Sequence, residues 1–148
     1  MMNETPQRTH DTAAPLPPDE ARRHEVLLDL NLLDTPPQAS FDRITRMAAH
    51  LFKVPIALVS LIDTDRQWFK SRVGLALTET PRSVSFCAHA ILQDDVMVVQ
   101  DASADPRFAD TPLVRGETAA RFYAGSPIDV GDGVRIGTLC IIDSVPRD

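Results

Sequence analysis

The run Ile56-Ala-Leu-Val-Ser-Leu-Ile62 constrains the fold more than any other part of the chain. Ile56, Leu58 and Ile62 fall on one side of an extended segment and Ala57, Val59 and Leu61 on the other, the pattern of a strand covered on both faces. Such a strand is central in its sheet, and layers of other structure must lie above and below it. Pro55 bounds the run at its start and Asp63-Thr-Asp-Arg66 supplies turn residues at its end. Gln67 to Val73 then alternates, with Phe69, Ser71 and Val73 opposite Trp68, Lys70 and Arg72, which predicts a hairpin with the first strand.

The cover for one face is legible upstream. From Asp19 to Leu33 the spacing of Val26, Leu27, Leu30 and Leu33 predicts a helix, with Asp19 and Glu20 favourably placed in its first turn. Thr35, Pro36 and Pro37 stop it. Ser40 can cap a second helix reaching Phe52, with Phe41, Ile44, Ala48, Leu51 and Phe52 along one stripe. Residues 1 to 18, with Pro6, Pro15, Pro17 and Pro18 and little to bury, are expected to form a disordered arm. The domain proper then spans residues 19 to 148.

Downstream, Gly74 to Arg82 reads as a polar loop, Val84 to Leu92 as a short helix and Val96 to Val99 as a brief strand. Asp105 and Pro106 are a cap and first residue for a helix of about one turn. Arg121 to Ile128 and Arg135 to Ile142 are two further strands, joined through Val130-Gly-Asp-Gly133, a strong reversal signal. The tally is five strands with helices before and between them. Its length of 148 residues allows one domain, and the order of elements predicts an α+β fold with a mainly antiparallel sheet.

A formal net charge of −6 argues against nucleic acid and anionic membrane surfaces as partners. There is no signal sequence, no apolar run long enough to span a membrane, and only Cys87 and Cys140 in place of a disulfide framework, so the expected location is the cytoplasm.

Nucleophile types concentrate in Ser83-Val-Ser-Phe-Cys-Ala-His89. On a helix Cys87 and His89 point about 200° apart and cannot pair, whereas Ser85 and His89 share a face. No Gly-x-Ser-x-Gly elbow surrounds Ser85, so the alternative is a capping serine and a histidine bonded into the core. The other histidines lie far apart, and no Cys-x-x-Cys or glycine-rich phosphate loop is present; no catalytic or metal-ligating set is predicted. Cys140 reads as a small buried hydrophobe, and Cys87 as a thiol lacking a resolving partner. The polar and aromatic residues His89, Asp101, Arg107, Phe108, Arg121 and Tyr123 describe either a small-molecule pocket or a structural network in which an arginine pairs with an aspartate.

Taken together, Asp34-Thr-Pro-Pro37, Phe41-Asp-Arg43, Val54-Pro-Ile-Ala-Leu-Val-Ser-Leu-Ile-Asp63, Asp65-Arg-Gln-Trp-Phe-Lys-Ser71, Ser85-Phe-Cys-Ala-His-Ala90, Asp105-Pro-Arg-Phe108, Arg121-Phe-Tyr-Ala-Gly125 and Gly137-Thr-Leu-Cys-Ile-Ile-Asp143 resemble the GAF sensor domain. The version they resemble most stands at the front of bacterial sensor histidine kinases and diguanylate cyclases. The resemblance implies a PAS-related α+β fold: a mainly antiparallel sheet of five or six strands flanked by helices on both faces, with the end helices on one and a ligand cavity on the other. It further implies homodimerisation through the N-terminal helix and control of an output kinase or diguanylate cyclase domain, in cis or in trans. The family's usual C-terminal helix is not expected within this chain.

Relatives variously bind cyclic nucleotides, bilins, haem, iron or amino acids, so the resemblance leaves the cofactor unknown. Cys87 is not followed directly by histidine, which argues against a covalent bilin. In the free methionine-R-sulfoxide reductases a cysteine near the position of Cys87 works with a catalytic cysteine beyond the third strand, and Asp101 to Ala120 contains none. The expectation is therefore a non-catalytic signalling module whose small-molecule pocket is bordered by Phe86, Cys87, His89, Asp101, Arg107, Phe108 and Tyr123. A purely structural dimerisation module with a vestigial pocket, or a thiol-based redox enzyme, are the alternatives.

Overall fold

A computed structural model describes residues 13–147 of the chain. Most of the arm expected over residues 1 to 18 lies outside the described residues; Pro17 is buried, and its carbonyl accepts the amide of Glu20 at 3.1 Å. Two helices come first, α1 (Glu20–Asp29) and α2 (Ala39–Phe52). Strands β1 (Ile56–Ile62), β2 (Arg66–Val73) and β3 (Glu79–Pro81) follow, then α3 (Phe86–Ala90) and β4 (Met97–Val99). A short helix α4 (Pro112–Arg115) precedes the closing hairpin, β5 (Phe122–Asp129) and β6 (Arg135–Asp143).

The six strands form one antiparallel sheet in the order β3-β2-β1-β6-β5-β4. β1 is buried along its whole length between β2 and β6, as its two-faced pattern requires. Its faces separate as the alternation predicts. Ile56, Leu58 and Ile62 join one core with Phe69, Phe86, Phe108 and Tyr123, while Leu61 and Ala57 face α1 and α2 through two smaller clusters. The helices α3 and α4 cover the first face, so helices lie on both.

Several expectations change in detail. The α1 helix ends at Asp29 and not at Leu33, because Asn31 takes a left-handed backbone (φ 53°) that asparagine tolerates. Leu32 and Leu33 still pack against the cluster beneath. The strict alternation of β2 fails at a bulge that pairs Val59 with Ser71 but Ser60 with Phe69. Ser71 therefore faces α2, where its hydroxyl lies 2.8 Å from Thr45 Oγ1 and donates to Asp42 at 2.6 Å.

The apolar stripe read on α2 is only partly its buried face: Ala48 is buried and Phe41 half-buried, but Ile44, Leu51 and Phe52 are exposed. Thr45 and Ala48 are buried, whereas Ile44, Met47 and Leu51 form a second stripe, about 100° round the helix, that is exposed. Small residues win the contact because they let the helix approach the sheet closely. The loop expected from Gly74 to Arg82 contains β3, which extends the sheet by three residues against Arg66, Gln67 and Trp68. The one-turn helix expected at Asp105 is instead a turn in which the Asp105 side chain accepts the Arg107 amide at 2.9 Å. The helix forms later, with Pro112 in its first turn. The reversal between β5 and β6 needs three successive positive φ angles, at Gly131, Asp132 and Gly133, and two glycines make it affordable.

Candidate functional site

A cavity of about 260 Å³ lies between the sheet and the α3–α4 cover. Leu58, Phe69, Cys140 and Ile142 form its floor from β1, β2 and β6; Phe86, Cys87, Leu75 and Leu113 contribute walls. Its polar rim includes Gln67, Glu79, Thr80, Ser85 and Thr118. Among the described residues, no lysine, arginine or histidine lines it. A cavity without a cation and with a mostly apolar wall suits a small uncharged guest far better than a phosphate or nucleotide.

The rim is held by a connected network. Gln67 Oε1 accepts from Ser60 Oγ and Ser85 Oγ, each at 2.9 Å, and its Nε2 donates to Thr80 Oγ1 at 2.9 Å. Ser85 caps α3, accepting the Ala88 amide at 3.1 Å. The Ser85 proton thus goes to Gln67, and the serine has the capping role foreseen as the alternative to nucleophile.

Behind Phe86 the aromatic groups form a stack. Its ring lies 4.0 Å from that of Phe108 at 8°, and the His89 ring meets Phe108 edge-on at 5.0 Å. The Arg107 guanidinium lies 4.9 Å from the Phe108 ring centre on its way to an ion pair with Asp105 at 2.8 Å. That pairing holds the Asp105 carboxyl below its usual range. Asp101 accepts from the Ser103 amide and hydroxyl at 3.0 and 2.6 Å and, with Arg107, borders a separate shallow cleft.

The seven residues expected around one pocket therefore divide. Phe86, Cys87 and Tyr123 line the cavity; His89, Asp101, Arg107 and Phe108 do not. Phe108 supports the wall from behind, His89 packs on it, and the two charged residues face outward. Gln67, Leu58 and Leu75 line the cavity and were not foreseen. Nothing in the sequence marked them: Gln67 opens an alternating strand, and its burial follows only from the packing of β3 and α3 around it.

The Cys87 surroundings also differ from expectation. Tyr123 Oη donates to its sulfur at 3.1 Å and Thr138 Oγ1 at 3.0 Å, and Cys140 Sγ lies 3.9 Å away. Burial pushes the Cys87 thiol up, but hydrogen bonds with its neighbours, Cys140, Thr138 and Tyr123 among them, outweigh this and bring it to about 7. The proximity of the Cys87 sulfur and burial push Cys140 up, and burial with the charge on Cys87 does the same to Tyr123. Cys140 is buried as expected, yet it is also the neighbouring thiol that the sequence reading did not supply.

An antiparallel six-stranded sheet with β1 and β6 at its centre and helices on both faces is a GAF-like α+β fold. The GAF domain model matches residues 36–148, and the chain belongs to that family. It is 46% identical over 133 residues to a cyclic di-GMP phosphodiesterase of Pseudomonas aeruginosa, covering 90% of this chain and 23% of that protein. The chain thus spans about a quarter of the length of this relative.

Among solved structures, the GAF domain of an Acinetobacter phosphoenolpyruvate-protein phosphotransferase matches with a TM-score of 0.59 at 15% identity, over 100% of this chain and 82% of that one. The free methionine-R-sulfoxide reductase of Neisseria meningitidis, solved with its substrate, also matches at 0.59, with 22% identity over 73% of this chain and 63% of that one. Both likenesses concern the fold alone.

Proposed function

We propose that this chain is a regulatory GAF domain that binds a small, uncharged, largely apolar molecule between its sheet and the α3–α4 cover, and thereby controls a signalling output domain. The observation that carries the reading is the cavity itself: mostly apolar in its lining, without a cationic side chain among the described residues, and bordered by the hydrogen-bonded set Gln67, Ser85 and Thr80. Catalysis is not part of the proposal, because Ser85 and His89 have structural contacts in place of a shared proton. The relative in Pseudomonas aeruginosa supports an output that degrades cyclic di-GMP, a diguanylate cyclase or a histidine kinase being the other candidates, attached in cis or recruited in trans.

A ligand acts only through a difference in affinity between two states of the protein. The cover, α3 and α4, contacts the cavity directly, while α1 and α2 contact the opposite face of the same strands. Occupancy would be read as a change in how those helices sit. Thermal melting against a panel of neutral metabolites, amino acids and nucleotides tests this. Neutral compounds should raise the melting temperature, and Leu113→Trp, which fills the cavity from its half-buried edge, should abolish the shift. A panel with no effect on the wild-type protein would oppose ligand sensing.

A second reading, homodimerisation, is favoured by the exposed stripe Ile44, Met47 and Leu51 on α2 and by exposed Leu28 on α1 and Leu30 just beyond its end. Sedimentation of the full chain and of Met47→Glu should then show a dimer that the charge dissociates. A wild-type monomer at high concentration would dismiss it.

A further inference from the structure

The mechanism above gives no work to the two thiols, although they are the most reactive groups facing the cavity. Cys87 and Cys140 are 2% and 1% exposed, reach it from opposite sides, α3 and β6, and approach within 3.9 Å. Two hydroxyls, from Tyr123 and Thr138, converge on one of the two sulfurs. Donors aimed at sulfur favour a thiolate over a thiol. The backbone makes room for one of them: a Cβ on Gly125 would come within 2.1 Å of the Tyr123 hydroxyl, so the phenol occupies the space that any side chain at 125 would take.

We propose that Cys87 and Cys140 are an oxidisable pair, in which a hydroperoxide small enough to enter the cavity oxidises Cys87 and Cys140 resolves the product to an intramolecular disulfide. In the first step the Cys87 thiolate attacks one peroxide oxygen, the S–O bond forms and the O–O bond breaks. The departing alkoxide or hydroxide takes the proton that Cys87 gave up, leaving a sulfenic acid. In the second step the Cys140 sulfur attacks the Cys87 sulfur; the S–S bond forms, the S–O bond breaks, and hydroxide leaves with the Cys140 proton as water. Two thiols and one hydroperoxide become a disulfide, an alcohol or water, and one water. Two electrons pass from sulfur to the peroxide.

Bond formation closes the sulfur separation by about 1.9 Å. That motion draws Cys87 away from Tyr123 and Thr138 and ties α3 to β6, changing the wall of the cavity. Oxidation and guest binding would then influence one another. The proposal uses the cavity only as the way in, so a protein that takes no small-molecule guest leaves it standing.

The test is treatment of the reduced full chain with stoichiometric hydrogen peroxide, followed by alkylation under denaturing conditions and mass analysis. The expected product is a monomer about 2 Da lighter that resists alkylation, recovers with dithiothreitol and yields a Cys87–Cys140 linked peptide. Its rate of formation should rise with pH through about 7. Cys140→Ser should stop at a sulfenic acid that dimedone traps, and Cys87→Ser should lose the rapid phase. Cys140→Ala, which keeps a small apolar group on β6, provides the same readout should the serine variant fold poorly. Thiol loss that occurs only after unfolding, disulfides only between molecules, or an unaltered product in Cys140→Ser would each overturn the proposal.

Discussion

Replacing Glu20 by glutamine should cost this domain much more stability at neutral pH than at acid pH. Glu20 stands in the first turn of α1 and bridges two arginines: Arg23 at 3.0 and 3.2 Å, and Arg82 at 2.7 and 3.0 Å. Arg23 is 1% exposed and also donates to the Ile62 carbonyl at 2.7 Å, while Arg82 donates to the Asp63 carbonyl at 2.9 Å. The cluster therefore ties α1 to the end of β1 and to the segment after β3.

Partial burial pushes the Glu20 carboxyl up, but hydrogen bonds from Arg82 and Arg23 outweigh it and lower its pKa from 4.5 to about 2. At about 1.4 kcal/mol per unit, and reduced for its partial solvent contact, this shift corresponds to about 2 kcal/mol of pH-dependent stability. Because the folded value lies below the unfolded one, the contribution is complete above about pH 4.5 and is lost as pH falls through about 2.

Glu20→Gln removes the countercharge and leaves two largely buried guanidinium groups facing one another. The cost at pH 7 should be about 3 kcal/mol, or a fall of about 6–12 °C in melting temperature for a domain of this size. Calorimetry from pH 7 to pH 2 on both proteins provides the measurement. The two curves should converge as the pH falls. Parallel curves, or a variant as stable as wild type at pH 7, would show that the cluster does not hold α1 in place.

Ser85→Ala should lose both the α3 cap and a partner of Gln67, lowering stability by about 1–3 kcal/mol in chemical denaturation. Gly137→Ala would place a Cβ 1.8 Å from the Ser60 carbonyl on the adjacent strand, and circular dichroism should show little folded protein. Tyr123→Phe removes a donor from the Cys87 sulfur, so the thiolate absorbance should titrate above the value of about 7 expected for wild type.

How far the sequence discloses this architecture depends on whether a residue's neighbours lie close along the chain. The two faces of β1, the tight β5–β6 reversal and the Ser85 cap are local patterns with one physical solution each. The exposure of Ile44, Met47 and Leu51 is different: the apolar residues spread over rather more than half of the circumference of α2, and only the sheet decides which part it accepts. The β2 bulge likewise depends on the register with β1. The cavity was legible in part. Phe86, Cys87 and Tyr123 line it, but Arg107 finds Asp105 two residues away and turns outward, the structural pairing that the sequence left open beside ligand contact. The approach of Cys140 to Cys87 bridges fifty-three positions along the chain and follows only from the placement of α3 over β6.

Native mass spectrometry of freshly purified protein addresses most directly whether the hollow between sheet and cover holds a guest. The account predicts a non-covalent adduct of low mass that is neutral in solution, present in the wild-type protein and absent from Leu113→Trp. A wild-type protein that is bare as isolated, and that stays bare when neutral metabolites are supplied, would contradict it.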